Sequence, residues 1–156
     1  MTKPMARQRE AALADLDRMV ADAVAFFAGA DESLADRYQT ARDVLAHFVF
    51  WHREYVRIVR ALATGHKPRL RTGKFHEMNA QAAREFRGVS LPQLARQFGQ
   101  LQSLLERLLL ALPDWRIDFP IKAGGKRTRV AERVPQIAAH IVHHVTRLRH
   151  ALKRRR

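Results

Sequence analysis

Residues 40–55 read TARDVLAHFVFWHREY, and the spacing within this stretch decides the fold. Apolar side chains fall at Val44, Phe48, Trp51 and Tyr55 and continue at Val59 and Leu62. Steps of three and four residues place them in one stripe along an α-helix. Thr40 followed by Asp43 has the form of a capping box, with the threonine oxygen serving the backbone N–H three residues on. The helix runs out at Gly65. His47 sits on the apolar side of this helix, one turn ahead of Trp51, while His52 points elsewhere.

The same periodicity extends in both directions. Upstream, Leu13, Leu16, Val20, Val24 and Phe27 mark a helix over Pro4–Ala28. Pro4 suits the first turn, where its missing N–H is not needed, and Gly29 is placed to close the helix in a left-handed conformation. Downstream, HKPRLRTGK (66–74) carries proline, glycine and much positive charge, and reads as a loop. A shorter helix is expected over Phe75–Arg87, closed by Gly88. Ser90-Leu-Pro-Gln93 is a second capping box. It opens a helix with Leu94, Phe98, Leu101, Leu105, Leu108 and Leu112 in its stripe, which Pro113 ends. Ile117–Ile121 alternates around a proline and precedes the turn Ala123-Gly-Gly-Lys126, so a small β-hairpin fits there, confined to an edge by the proline. The last helix is expected from near Pro135 to Leu152, with Ile137, Ile141, Val145 and Leu148 inward and the KRRR tail (153–156) frayed. Four long amphipathic helices and one short one, each with a single face to bury, imply an all-α four-helix bundle, with residues 1–156 as one domain.

Composition narrows the chemistry. The 156 residues include no cysteine, which removes disulfides, thiolate nucleophiles, zinc fingers and iron–sulfur clusters. Apolar residues make up 47% and charged residues 28%, an ordinary globular balance that excludes wholesale disorder. No apolar run approaches the roughly 18 residues of a membrane span, and MTKPMARQRE has no apolar signal region, so a cytoplasmic protein is the expectation. Charge is the abnormal quantity: 29 Lys and Arg against 15 acids give +14. Such a surface attracts polyanions by its field alone. The segments 66–74, KAGGKRTR (122–129) and KRRR are candidates for phosphate contacts, without aromatic interleaving or any recognised DNA-binding motif.

Eight histidines in a cysteine-free chain invite a metal reading. On the last helix His140 and His144 lie about 40° apart and one turn apart, flanking the apolar stripe. An i, i+4 pair of this kind can present two imidazoles to one ion. His143 and His150 fall on the polar side. In a bundle, His47 from the second helix can meet the pair across the core, and three imidazoles leave a coordination position open for water or substrate. The competing assignment for His47 is a core histidine bonded to a carbonyl. Trp51 and Tyr55 either wall a pocket beside the site or simply pack. Glu54 is either a proton-transfer group or a helix-surface acid paired with an arginine, and Asp43 belongs to the cap.

The stretch TARDVLAHFVFWHREY resembles the second-helix signature of the DinB-like four-helix-bundle superfamily, and HIVHH (140–144) resembles its H-x-x-x-H pair. Residues 78–114, MNAQAAREFRGVSLPQLARQFGQLQSLLERLLLALPD, are similar to the ClbS/DfsB subgroup. The resemblance covers roughly Thr40 to Leu152. It implies an up-down-down-up bundle with one long crossover, and a metal site at His47, His140 and His144 occupied by zinc, nickel or iron. Asn79 matches a polar position of the subgroup, where it either bonds a ligand or braces the crossover. Relatives include thiol S-transferases and a thiol-dependent isomerase, and the subgroup is associated with protection against a genotoxic metabolite by hydrolysis of its electrophilic ring. The implied function is a metal-dependent hydrolase or thiol S-transferase acting on an electrophilic small molecule, with a low-molecular-weight thiol as cosubstrate in the second case. Two rivals stand beside it: a non-enzymatic basic protein binding or shielding nucleic acid, and a bundle whose exposed face serves a homodimer.

Overall fold

The computed structural model describes residues 2–156. It contains α1 (Lys3–Ala28), α2 (Ala41–Ala63), α3 (Phe75–Glu85), α4 (Leu91–Ala111), β1 (Asp118–Phe119), β2 (Thr128–Arg129) and α5 (Val130–Arg154). Both predicted caps form. Thr40 accepts the backbone N–H of Asp43 at 3.1 Å. Ser90 accepts that of Gln93, and the Gln93 side chain returns to the Ser90 N–H. The two strands pair antiparallel, Asp118 with Arg129 and Phe119 with Thr128.

Side-chain ties between helix ends fix the directions. Arg9, early in α1, donates to the carbonyls of Leu109 and Leu112 at the end of α4, so these helices run oppositely. Asp22 and Arg149, both late in their helices, pair at 3.0 Å, so α1 and α5 run together. Arg42, at the start of α2, donates to the Val89 carbonyl just before α4, so α2 and α4 also run together. Asp36, ahead of α2, pairs with Arg147 near the end of α5. The order is therefore up-down-down-up, and the long crossover is the segment 64–90 that carries α3.

Two expectations need correction. The last helix begins at Val130, five residues ahead of the predicted Pro135, which lies inside it. The hairpin makes this early start workable: the Val130 and Ala131 N–H groups, orphans at any helix start, donate to the carbonyls of Ile117 and Trp115. Pro135 costs the bond to the Ala131 carbonyl, but both residues are exposed, so water can serve that oxygen. Gly29 ends α1 at φ −103°, outside the left-handed region.

The core runs the length of the bundle, with Phe27, Phe50 and Phe98 wholly enclosed. Phe98 of α4 packs edge-on against Phe48 of α2 at 5.4 Å between ring centres. It also lies 4.7 Å from the ring of His52. This aromatic layer lies directly beneath the histidines described below. Phe98→Ala is expected to lower stability by about 3–5 kcal/mol, read from urea unfolding midpoints; a loss below about 1 kcal/mol would mean that the layer carries no load.

Candidate metal centre

The antiparallel contact of α2 with α5 brings His47 opposite His140 and His144. His47 Nε2 lies 2.8 Å from His140 Nε2. One ring nitrogen from each of the three histidines falls within 4.8 Å of the other two. Phe48, next to His47, meets the rings of both His140 and His144 edge-on, so hydrocarbon backs the cluster on its core side.

The hydrogen bonds around His47 settle its proton. Trp51 Nε1–H can only donate, and it donates to Asn79 Oδ1 at 2.8 Å. The Asn79 atom facing α2 is therefore its carbonyl oxygen. His47 Nδ1 lies 2.9 Å from the same oxygen, so it must donate as well. With the proton held on Nδ1, neutral His47 directs an Nε2 lone pair at the α5 histidines. Ligating imidazoles usually have their remaining N–H held in just this manner.

Burial keeps these rings uncharged. The pKa of His47 is pushed down to about 4 by desolvation and then by His140, against an opposing effect of the Asn79 bond. His144 is likewise lowered to about 4, by burial and then by the neighbouring histidines and Arg147. His140 is lowered by burial and then by His143. At neutral pH all three present lone pairs, the form a metal requires. His144 Nδ1 is buried without a hydrogen-bond partner. A directed lone pair on His47, an orphaned nitrogen on His144 and a 2.8 Å approach between two ring nitrogens fit a cation among them. The three residues form a group that can hold a metal ion.

The cluster opens on a cavity of about 380 Å³. Phe48, Trp51, Tyr55, Phe75, Ile137 and Ile141 supply most of its wall, and Asn79 from the crossover closes one side. Trp51, Tyr55 and Asn79 all line it. Glu54 does not. It is buried two turns further along α2 from His47, where Arg57 and Arg71 bind it at 2.6 and 2.7 Å. Burial pushes its pKa up, but the bonds and charges of the two arginines outweigh that and hold it below the usual range. Glu54 anchors the crossover loop, and the arginine pairing expected for it holds, though in a buried setting.

The cavity also has members that the sequence did not disclose: Arg133 and Gln136 on α5, and His52 beneath the floor. His52 is 2% exposed. It bonds Gln102 of α4 at 2.8 Å, and Gln102 passes the contact to Asp17 of α1. The three basic segments do not gather. The Ala123 N–H donates to the Arg71 carbonyl, so 66–74 and 122–129 lie side by side. The tail lies at the other end of α5, where Arg155 reaches Ser33. No helix among the described residues is long and apolar enough to cross a membrane.

Among solved structures, the chain matches the crystal structure of the mycothiol-dependent maleylpyruvate isomerase. The TM-score is 0.64 at 12% sequence identity, and the match covers 91% of this chain. It spans 58% of the isomerase chain, so a large part of that protein has no counterpart here. What the two share is a fold. No protein-family model and no curated protein matches the sequence.

Neutral buried imidazoles make stability depend on pH. His52 is lowered to about 4 by burial, against the Gln102 bond. A base whose folded pKa lies below its unfolded value near 6.5 binds its proton more readily when unfolded, so the stability it contributes is complete above pH 6.5 and lost as pH falls towards 4. For His52 alone the loss is about 3 kcal/mol. In chelator, the urea midpoint is expected to drop markedly between pH 7 and pH 5; an unchanged midpoint would show these rings to be charged or solvated in the native state.

Proposed function

We propose that this chain is a metal-dependent enzyme in which His47, His140 and His144 hold a divalent ion, zinc, nickel or iron, beside a cavity that takes an electrophilic small molecule. The observation that carries the reading is the convergence of three ring nitrogens within 4.8 Å, with His47 and His140 in the wall of a mostly apolar cavity. A divalent ion held by imidazoles supplies Lewis acidity, lowering the pKa of a water or of a thiol towards neutrality.

The chain's own residues define the rest. Asn79 keeps the His47 proton on Nδ1 and so keeps Nε2 available. Trp51, fixed by the same oxygen, forms a rigid wall. Phe48, Ile137 and Ile141 set hydrocarbon beside the reacting end, which strengthens the charge interactions there. Tyr55 stays a neutral phenol at physiological pH, because burial raises its pKa against the opposing effect of Arg133. With no cysteine in the chain, the nucleophile is either water, giving a hydrolase, or the thiol of a low-molecular-weight cosubstrate, giving an S-transferase. The fold shared with a mycothiol-dependent enzyme supports the thiol. The resemblance of residues 78–114 to the ClbS/DfsB subgroup supports water, and with it a role in detoxification or self-protection.

Protein purified without a histidine tag is expected to contain about one divalent ion per chain by mass spectrometry, and His140→Ala to lose it. A metal-free protein whose melting temperature ignores chelator would contradict the reading. Consumption of styrene oxide with and without an added thiol separates the two nucleophiles. Asn79→Leu removes the acceptor that holds the His47 tautomer, so metal affinity should fall about 10–100-fold while the fold survives; an unaltered affinity in a competition titration would remove Asn79 from the site.

A further inference from the structure

The cavity holds a cation with no acid to meet it. Arg133 lines the wall on the same face of α5 as His140, two turns towards the N-terminus, with Gln136 between them. No aspartate or glutamate lines the cavity. Among the described residues no carboxylate pairs with Arg133, although nine other arginines have one. One terminal nitrogen of its guanidinium donates to the Phe119 carbonyl at 2.9 Å and lies 3.4 Å from that of Lys126. The group stacks over the Phe119 ring at 5.3 Å and touches the Tyr55 hydroxyl. These contacts fix the side chain without neutralising it. Its Nε is buried and has no hydrogen-bond partner at all.

A half-buried guanidinium, held in place and short of one acceptor, is a costly arrangement in an apolar wall. A carboxylate supplies both the missing acceptor and the missing charge, and guanidinium–carboxylate bonds are the strong, oriented kind. We infer that Arg133, with Gln136 beside it, forms a carboxylate site at the far end of the cavity, so that the molecule bound there is a small organic acid. Seven residues separate Arg133 from His140, a rise of about 10 Å along the helix. The acid group and the reacting atom are thus set apart by a short carbon skeleton that the aromatic wall covers. The position of the reacting end rests on the metal proposal; the carboxylate site itself does not.

Calorimetry with 4-phenylbutyrate and its uncharged partner 4-phenylbutyramide tests this on the full chain as purified. The acid should bind at least about tenfold tighter than the amide, the yield of one charged hydrogen bond. Arg133→Gln should erase that preference by weakening the acid alone, with amide binding retained as proof that the cavity is intact. Arg133→Lys should recover part of it, and His140→Ala should leave it in place. A wild-type protein without the preference, or one whose preference survives in Arg133→Gln, overturns the site. A preference lost in His140→Ala and in chelator but kept in Arg133→Gln places the acid on the metal, which overturns this site and spares the metal proposal. A metal-free protein with an Arg133-dependent preference upholds the site and overturns the metal proposal. In the zinc-loaded protein, 6-mercaptohexanoate is then compared with hexanoate. A tenfold gain that needs Arg133 upholds the site and assigns the acid to a thiol cosubstrate; no gain upholds it and assigns the acid to the electrophile.

Discussion

One carbonyl oxygen organises the site. Asn79 Oδ1 accepts from both the Trp51 indole and His47 Nδ1. Because the indole can give a proton but not take one, the orientation of the amide is forced, and the tautomer of His47 with it. The lone pair of Nε2 then has one direction available, towards α5. Asn79 belongs to α3, the helix of the crossover, so the long connection does more than join α2 to α4. The segment is itself pinned through Glu54, whose two arginine partners draw the loop 66–74 onto α2. Buried ion pairs are a weak source of net stability. Here the pair fixes where the crossover lies, and through it the protonated nitrogen of a histidine two turns earlier on α2.

The aromatic layer gives this arrangement a rigid floor. Phe98, Phe48 and the two α5 histidines pack edge to face in sequence. Protein interiors of this density have few alternative arrangements. The imidazoles are therefore presented by packing rather than by chelation, and their neutrality follows from the same burial. His52 completes the floor through a hydrogen-bond strut that runs α2 to α4 to α1.

Much of this was legible in the sequence. Stripes at three- and four-residue spacing located α1, α2 and α4, because each helix has a single face to bury. The i, i+4 pair on α5 and a histidine on the apolar side of α2 were enough to nominate His47, His140 and His144. The misses have physical causes. Pro135 looked like a first-turn residue, because proline inside a helix forfeits a bond; the hairpin carbonyls that cap the earlier start lie twelve or more residues away and leave no local signal. Arg133 and Gln136 were thereby placed outside the helix or at its very start, and their alignment with His140 went unseen. Glu54 read as a surface acid because α2 was expected to have a solvated face there. The crossover covers that face, and its burial depends on a contact with Arg71 of the loop that periodicity does not encode. The shared fold with an enzyme at 12% identity has the same character: packing faces persist where individual side chains do not.

The proposed site requires that three imidazoles share one ion. X-ray absorption at the edge of the bound metal tests it most directly. Three imidazole scatterers are expected, with nitrogens at about 2.0–2.1 Å if the ion is zinc, and one of them should be lost in His47→Ala. A first shell of oxygens alone, or a spectrum that His47→Ala leaves unchanged, would contradict it.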